Sequence, residues 1–589
     1  MSIASSPVAV PAEKLTPVED SSHLGKAVVL GASALAVTAL AGCNVNPLKK
    51  DADDDGGGSQ PVPTTTIATL TLKDTAGGTL TASGISGTPA VTFTLDGGTT
   101  GTSRAADPGP GIVAKAYDFS VSGTGGSGTV GITINPEPIA VATALHGNLV
   151  STRGKVTAMA FPPSWDELMG YAAMTHAQIV ERMLGRISGA PREAYPTWID
   201  EPILSSAQYN ALSQDEKDAY GKRKYPRRQE FKAWFFRQMV TSPDPLSERL
   251  VQFWHGVFTS SASSLDDPQL IARQHRLYRQ QFYGNLRTFL KAMCRDAGMC
   301  EYLDSARNKK GKPNENFARE LMELFTLGER ATFGGYAESD IPLVALCFTG
   351  YGVDANENFR FNPSDHDFTT PVTLWGSARP ATSADGDWVI DQILAKVTDA
   401  THVNGAGHSF CAIYLVTRLW KEFVGEPSLN QAAIVALADQ FSGAFAWDLI
   451  QLYRALFNRA EFMDPTRNGT RLRAPIELYV GYYRALGITP DKWDENLWNF
   501  YTLDQDLLDP PNVFGWPGGT SWITVKTLVD RREYMSWIGW GYRDQVPERL
   551  ANVLDILLLA TDPIGASPSG SSAADRSREY ITDPAYNLR

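Results

Sequence analysis

Cysteine is scarce in this chain. Five cysteines in 589 residues are too few for a disulfide framework to hold it together. A surplus of positive charge is also missing. Lys and Arg number 53 against 65 Asp and Glu, a formal net charge of −12, whereas a general nucleic-acid binder needs a basic surface to displace phosphate counterions. No nucleic-acid partner is therefore expected. The apolar run Ala27–Leu40 is too short to cross a bilayer as a helix. Familiar catalytic strings are absent as well: there is no Gly-x-Ser-x-Gly elbow, no Walker loop, no His-Glu-x-x-His and no Cys-x-x-Cys-His. These absences leave the reaction, if there is one, unnamed.

What is present is an ordinary globular composition, 43% hydrophobic and 20% charged, with 14 Trp, 21 Tyr and 25 Phe. Such a chain has room for several domains and at least one large core. Its grammar changes along its length. The expected architecture is multidomain, a small all-β sandwich followed by a large, mainly α-helical domain. Residues 1–43 read as a signal segment, 44–60 as a flexible tether, 61–136 as an Ig-like β-sandwich module and 137–589 as the helical domain.

The first segment has the order of an export signal, with Lys26 ahead of the apolar run. The run closes on Leu40-Ala41-Gly42-Cys43, which resembles a bacterial lipobox, in which the Cys carries the acyl chains that anchor the protein to a membrane. Cys43 is thus the expected lipidation site and the membrane the expected partner. Asn44 after the Cys, rather than Asp, points to the outer membrane or cell surface. Asp51-Ala52-Asp53-Asp54-Asp55-Gly56 copies the opening of a calcium loop, but its twelfth position is Val62 instead of Glu, so a solvated tether is expected there. Period-two alternation at Ile67–Leu72, Ala90–Leu95 and Tyr117–Val121, with glycine-rich turns between, predicts short antiparallel strands.

After Pro138 the pattern is helical. Helices are expected over Ser164–Leu184, Lys222–Val240, Pro245 to His255, Tyr283–Met293, Ile341–Thr349, Phe410–Val424, Gln431–Phe441, Trp447–Phe457, Pro475–Leu486, Thr524–Gly539 and Leu550–Leu559. The most informative stretch is Asn314–Gly328. Asn314 is placed to cap a helix and Gly328 to end it. Glu315, Asn316, Arg319, Glu320 and Glu323 share an arc of roughly 140°, and Phe317, Leu321, Met322, Leu324 and Phe325 fill most of the rest. A helix so apolar elsewhere is expected to be buried, with its polar edge satisfied by neighbours. Two arrangements remain open. In one, Arg319 pairs with Glu315 or Glu323, and Glu320 meets a basic residue of another helix. In the other, Glu320 and Glu323 join His366 and Asp367 around a divalent metal, for which mixed carboxylate and imidazole ligands suit Mn, Fe or Zn.

His366-Asp367 also reads as an acid–base pair, or as a histidine closing a hairpin over Phe359–Gly376. Asp509–Gly519, with three prolines and three glycines, cannot be a helix. It offers Trp516, with Trp522 nearby, as flat faces lining a pocket. His255, beside Trp254, is a further candidate for that pocket. Cys294 and Cys300 would lie on different faces of one helix, and Cys347 and Cys411 read as core thiols. Arg576–Arg589 carries apolar residues suited to docking back on the core.

Several long strings resemble one bacterial family, domain of unknown function 1800. They are 314–328 as a whole, Phe253-Trp254-His255, Phe348-Thr349-Gly350-Tyr351, His366-Asp367 and Pro510–Gly519. The resemblance covers about 155–589. It implies an exported protein, often encoded beside a second family resembling phosphatases and sulfatases, and hence a possible exported partner of that kind; it carries no established activity. This chain departs from the family where members commonly read Trp-His-Asn-His-Phe: here Gly256 and Val257 follow His255, so a second histidine is missing. The Gly and Lys usual after His366-Asp367 are missing too. The expected function is that of a lipid-anchored cell-envelope scaffold or assembly partner. The alternative is a metal-assisted hydrolase acting on a cell-surface polymer, with Glu320, Glu323, His366 and Asp367 as its site.

Overall fold

The computed structural model describes residue 141 and residues 143–589 apart from 381–384, 426–429 and 566–567, together with six strand segments before residue 135. Two compact units are distinguished, and the second takes in nearly all of the chain from Ile134 onward.

In the first unit Leu35–Thr38, Thr69–Asp74 and Leu80–Ser83 form one three-stranded antiparallel sheet, and Thr92–Leu95, Lys115–Gly123 and Gly126–Ile134 form a second three-stranded sheet. Three of these strands overlap the alternating runs in the sequence. Leu35–Thr38 falls inside the apolar run read as an export signal and pairs with Thr69–Asp74. Beyond these strands the tether, Cys43 and the sandwich packing lie outside the described residues.

The second unit is mainly helical, and one hydrophobic cluster runs through it from Leu149 to Tyr586. Its most buried rod is Pro475–Leu486, enclosed along all twelve residues and packed against the helices Gln214–Thr241, Val525–Gly541 and Leu554–Leu558. That helix is legible at both ends. Pro475 occupies the first turn, where its missing N–H costs nothing, Glu477 reaches back to the Ala474 N–H, and Gly487 takes the left-handed conformation after the last turn. Elsewhere the helices are shorter or longer than the pattern suggests. Ser164–Leu184 is two helices, Trp165–Ala172 and His176–Leu184, each opened by its own capping box. The helix expected from Lys222 begins at Gln214, capped by Ser213 and Glu216, and carries Pro226 in its interior.

Cys294 and Cys300 are not on one helix, because the chain breaks between Leu286–Met293 and Ala297–Tyr302. Both are free and buried, as are Cys347 and Cys411, and burial raises all four thiols above the ordinary range. The last segment does dock: Ile581 and Tyr586 are buried, and Leu588 bridges to Leu472. Among the described residues no helix is long and apolar enough to cross a membrane.

Candidate functional site

The stretch 314–328 keeps its predicted faces but not its predicted winding. Asn316–Glu320 is α-helical and Leu321–Thr326 is a π-helix. The Leu327 N–H reaches the Met322 carbonyl at 2.7 Å, and the Thr326 hydroxyl reaches the Leu321 carbonyl at 2.5 Å. Such wide turns occur mostly as single features at functional sites. The apolar residues are buried, while Glu315, Asn316, Arg319, Glu320 and Glu323 stay at least partly open. The capping position falls on Glu315, whose side chain makes no capping bond, and Asn314, one residue earlier, accepts from the Asn316 N–H at 2.9 Å. Gly328 sits at φ +82°, where a Cβ would lie 2.4 Å from the Phe333 ring, so only glycine ends the turn there.

Arg319 pairs with Glu315 at 3.5 Å, as expected, but its nearer partner is Glu338 at 2.8 Å. Glu323 accepts from the Tyr336 hydroxyl at 3.4 Å. The basic partner expected for Glu320 on another helix is not found among the described residues. Burial first, and then the Glu323 carboxylate, raise Glu320 from 4.5 to about 7, with Arg319 opposing. The folded chain therefore holds this proton more tightly than the unfolded chain. The resulting stability is complete below about 4.5 and lost as the pH rises through about 7. Glu320→Gln is expected to leave urea unfolding unchanged at acidic pH and to stabilise the protein at pH 8. The gain is roughly 1 kcal/mol once screening by water is allowed for, and equal curves at pH 8 contradict the assignment.

His366 is fully buried, and its carboxylate partner is not the adjacent Asp367. Its Nε2 lies 2.8 Å from Asp385 Oδ2 and its Nδ1 2.6 Å from the Thr349 carbonyl. Arg379 closes on the same Asp385 oxygen at 3.3 Å. Both ring nitrogens already face oxygen atoms of the protein, Thr349 and Asp385, so both directions of approach to the ring are taken. Asp367 turns instead to Thr369 and Thr370, accepting from both backbone N–H groups and both hydroxyls. Burial alone would raise its carboxyl, but these bonds, with Thr370 foremost, hold it well below the usual range. The expected hairpin is two short ones, Tyr351–Val353 with Phe359–Phe361 and Thr373–Leu374 with Ser377–Ala378, flanking His366. Among the described residues no three His, Cys, Asp or Glu side chains are gathered so as to hold a metal ion. Glu320 and Glu323 thus form one locus and His366 with Asp367 another.

A third locus joins three of the sequence strings. Asp509 accepts from the Ser263 N–H at 3.1 Å and from the hydroxyls of Ser263 and Ser261, which seats the loop 509–519 beyond the end of the helix Pro245–Val257. Gly515, at φ +84°, lies against that helix end, where a Cβ would be 3.1 Å from the Gly256 carbonyl. The Trp516 ring stands edge-on to His255 at 5.5 Å. His255 is buried, bonds the Ser260 carbonyl at 3.2 Å, and is lowered by burial to about 4; it supports the Trp516 wall from behind. Arg418, on the helix Phe410–Phe423, donates to the Gly256 carbonyl at 2.7 Å and the Leu324 carbonyl at 3.4 Å. It thereby ties the helix end to the π-turn.

These parts border a cleft of about 850 Å³. Phe253, Trp516 and Trp522 line it, with Trp522 itself largely buried, and Pro517-Gly518-Gly519 forms a rim almost bare of side chains. Six cations line it, Arg249, Arg418, Lys421, Arg467, Arg471 and Arg589, against Glu422, Asp464 and Glu477. The two glutamates bind Arg249 and Arg589 in one largely enclosed network, and Arg471 reaches Glu422 from its open side at 3.9 Å. Arg249 meets Glu422 at 2.6 Å and Glu477 more closely, while Arg589 meets Glu422 at 3.2 Å and Glu477 at 2.8 Å. Sequence reasoning marked the two tryptophans of this cleft and none of its arginines, which come from separate parts of the chain and share no local pattern.

The arrangement is that of a mainly helical domain in which two of the distinctive sequence strings meet at a cationic, aromatic-walled cleft. The chain belongs to the family described as protein of unknown function (DUF1800), whose model matches residues 156–581. No curated protein and no solved structure matches it.

Proposed function

We propose that the protein is an exported, lipid-anchored component of the cell envelope, in which the helical domain acts as a scaffold or assembly partner whose working surface is the cleft bordered by Trp516 and Arg418. The cleft carries this reading, because two strings far apart in sequence, at Phe253-Trp254-His255 and Pro510–Gly519, meet there, and Arg418 ties that meeting point to the π-turn. The anchoring half rests on Leu40-Ala41-Gly42-Cys43, and an exported phosphatase- or sulfatase-like protein is a candidate partner. Labelled palmitate is expected to enter the wild-type protein and not Cys43→Ala, which moves to the soluble fraction. Absence of label, with identical fractionation of the two proteins, overturns the anchoring.

A second reading has its own observation, the Glu320 carboxyl raised to about 7 beside Glu323. A carboxyl poised near neutrality is suited to general acid–base work, and the corresponding activity is hydrolysis of a cell-surface polymer. A divalent metal found by elemental analysis of protein grown under metal-replete conditions, and lost in Glu320→Gln without unfolding, supports the metal-assisted form. A metal-free protein under those conditions counts against it.

A further inference from the structure

We propose that the cleft binds an acidic polysaccharide, with a sugar ring on Trp516 and its carboxylate groups on Lys421, Arg467 and Arg418. This rests on the cleft being the working surface of the domain and names what it takes.

Charge is the first argument. The chain as a whole carries −12, yet cations outnumber anions two to one in the cleft lining. A polyanion is therefore repelled over much of the molecule and drawn to this one concave place, where walls of low dielectric concentrate the field. The cleft's own carboxylates do not cancel that field. Glu422 and Glu477 are taken up by Arg249 and Arg589, and Asp464 Oδ1 accepts from the Thr466 N–H and hydroxyl.

Three other cations have no carboxylate partner among the described residues. Arg418 donates to two main-chain carbonyls and the Tyr414 hydroxyl. Arg467 donates to the Val424 carbonyl at 3.0 Å. Lys421 is exposed and makes no ion pair or hydrogen bond within the described chain. Guanidinium groups with spare N–H donors suit carboxylates.

The walls decide between kinds of polyanion. Trp516 is half-buried, and its plane is set by the His255 ring behind it, so it is a fixed aromatic surface and not a mobile side chain. Such a surface suits the apolar face of a sugar ring. The bare rim at Gly518 and Gly519, both at positive φ, lets a thick chain approach the backbone. A peptide that binds by main-chain pairing needs a sheet edge, and no strand lines this cleft; an acidic peptide held by the arginines alone would not need the Trp516 face, which is the difference that the poly-glutamate control reads.

Binding of polygalacturonate to the full chain, followed by tryptophan fluorescence and calorimetry, tests this, with dextran as the neutral sugar and poly-glutamate as the acidic peptide. Polygalacturonate is expected to bind, more weakly as salt rises, and dextran not to. Lys421→Glu, an exposed change that leaves the urea midpoint in place, weakens binding at least about tenfold, and Arg467→Gln added to it weakens it further. Trp516→Ala weakens polygalacturonate and leaves any residual poly-glutamate binding unchanged. Poly-glutamate binding as tightly as polygalacturonate, no binding by the wild type, or Lys421→Glu indistinguishable from wild type each overturn the proposal. The Cys43→Ala fractionation does not involve the cleft, so failure here with anchoring intact removes the ligand class and leaves the envelope reading standing.

Discussion

Arg279→Met is expected to destabilise the helical domain by about 3–5 kcal/mol, seen as a lower urea midpoint with an unchanged slope. Arg279 and Glu248 are each 1% exposed. They face one another from the helices Pro268–Gln281 and Pro245–Val257. The guanidinium also lies over the Trp234 ring, 5.7 Å from its centre. Removing it leaves a carboxylate enclosed by apolar and aromatic groups, without water or another cation to replace what was lost. The loss comes from that stranded charge more than from the worth of the pair. Glu248→Leu combined with Arg279→Met removes both charges and is expected to recover most of the stability. A double variant as unstable as the single one contradicts this account and assigns the loss to packing against Trp234. Since neither group is exposed, added salt should change little.

The same pair shows where sequence reading stops. Pro268–Gln281 contains Gln274, His275 and Arg279, all buried, so its apolar period is weak and no helix is expected from it. Where chemistry and ends agree, the reading is close. Pro475–Leu486 is found to the residue, and Phe410–Phe423 ends one residue early. The helix expected over Lys222–Val240 runs instead over Gln214–Thr241; its interior Pro226 is exposed, and a 28-residue helix tolerates one lost hydrogen bond on its solvent face.

Partners at long range are the least legible of all. The Glu315–Arg319 pair follows from spacing on one helix. Glu338, Asp385 and the arginines of the cleft depend on how distant segments pack, and no local spacing encodes that. His366-Asp367 reads as a pair because the two are adjacent in sequence, whereas the carboxylate at the ring is Asp385. Adjacency fixes backbone proximity, not the direction of a side chain, and Asp367 points to the following threonines. The π-turn at Leu321–Thr326 has no signature either, since inserting one residue per turn leaves the same apolar residues buried.

The cleft's two glutamates hold Arg249 and Arg589 in place along its wall, and that network gives the second large effect. Glu477→Gln keeps the shape of the side chain and its acceptor for the Ala474 N–H, bonded at 2.7 Å, but removes one negative charge from the network. Arg249, 4% exposed, and Arg589, 7% exposed, are then left with Glu422, which is itself 33% exposed and also paired with Arg471. Two enclosed guanidinium groups with one carboxylate between them repel each other. The expected loss is about 3–5 kcal/mol. Arg589 is the easier of the two to release, because Arg249 is held between the Phe161 and Phe423 rings. Hydrogen exchange should therefore rise first in the last segment, where Arg471 and Arg589 pair through their backbones, and only later in the helix Pro245–Val257. Uniform protection across both segments in Glu477→Gln would mean that the network does not hold the chain end. In that case the cationic face of the cleft is set by the helices alone.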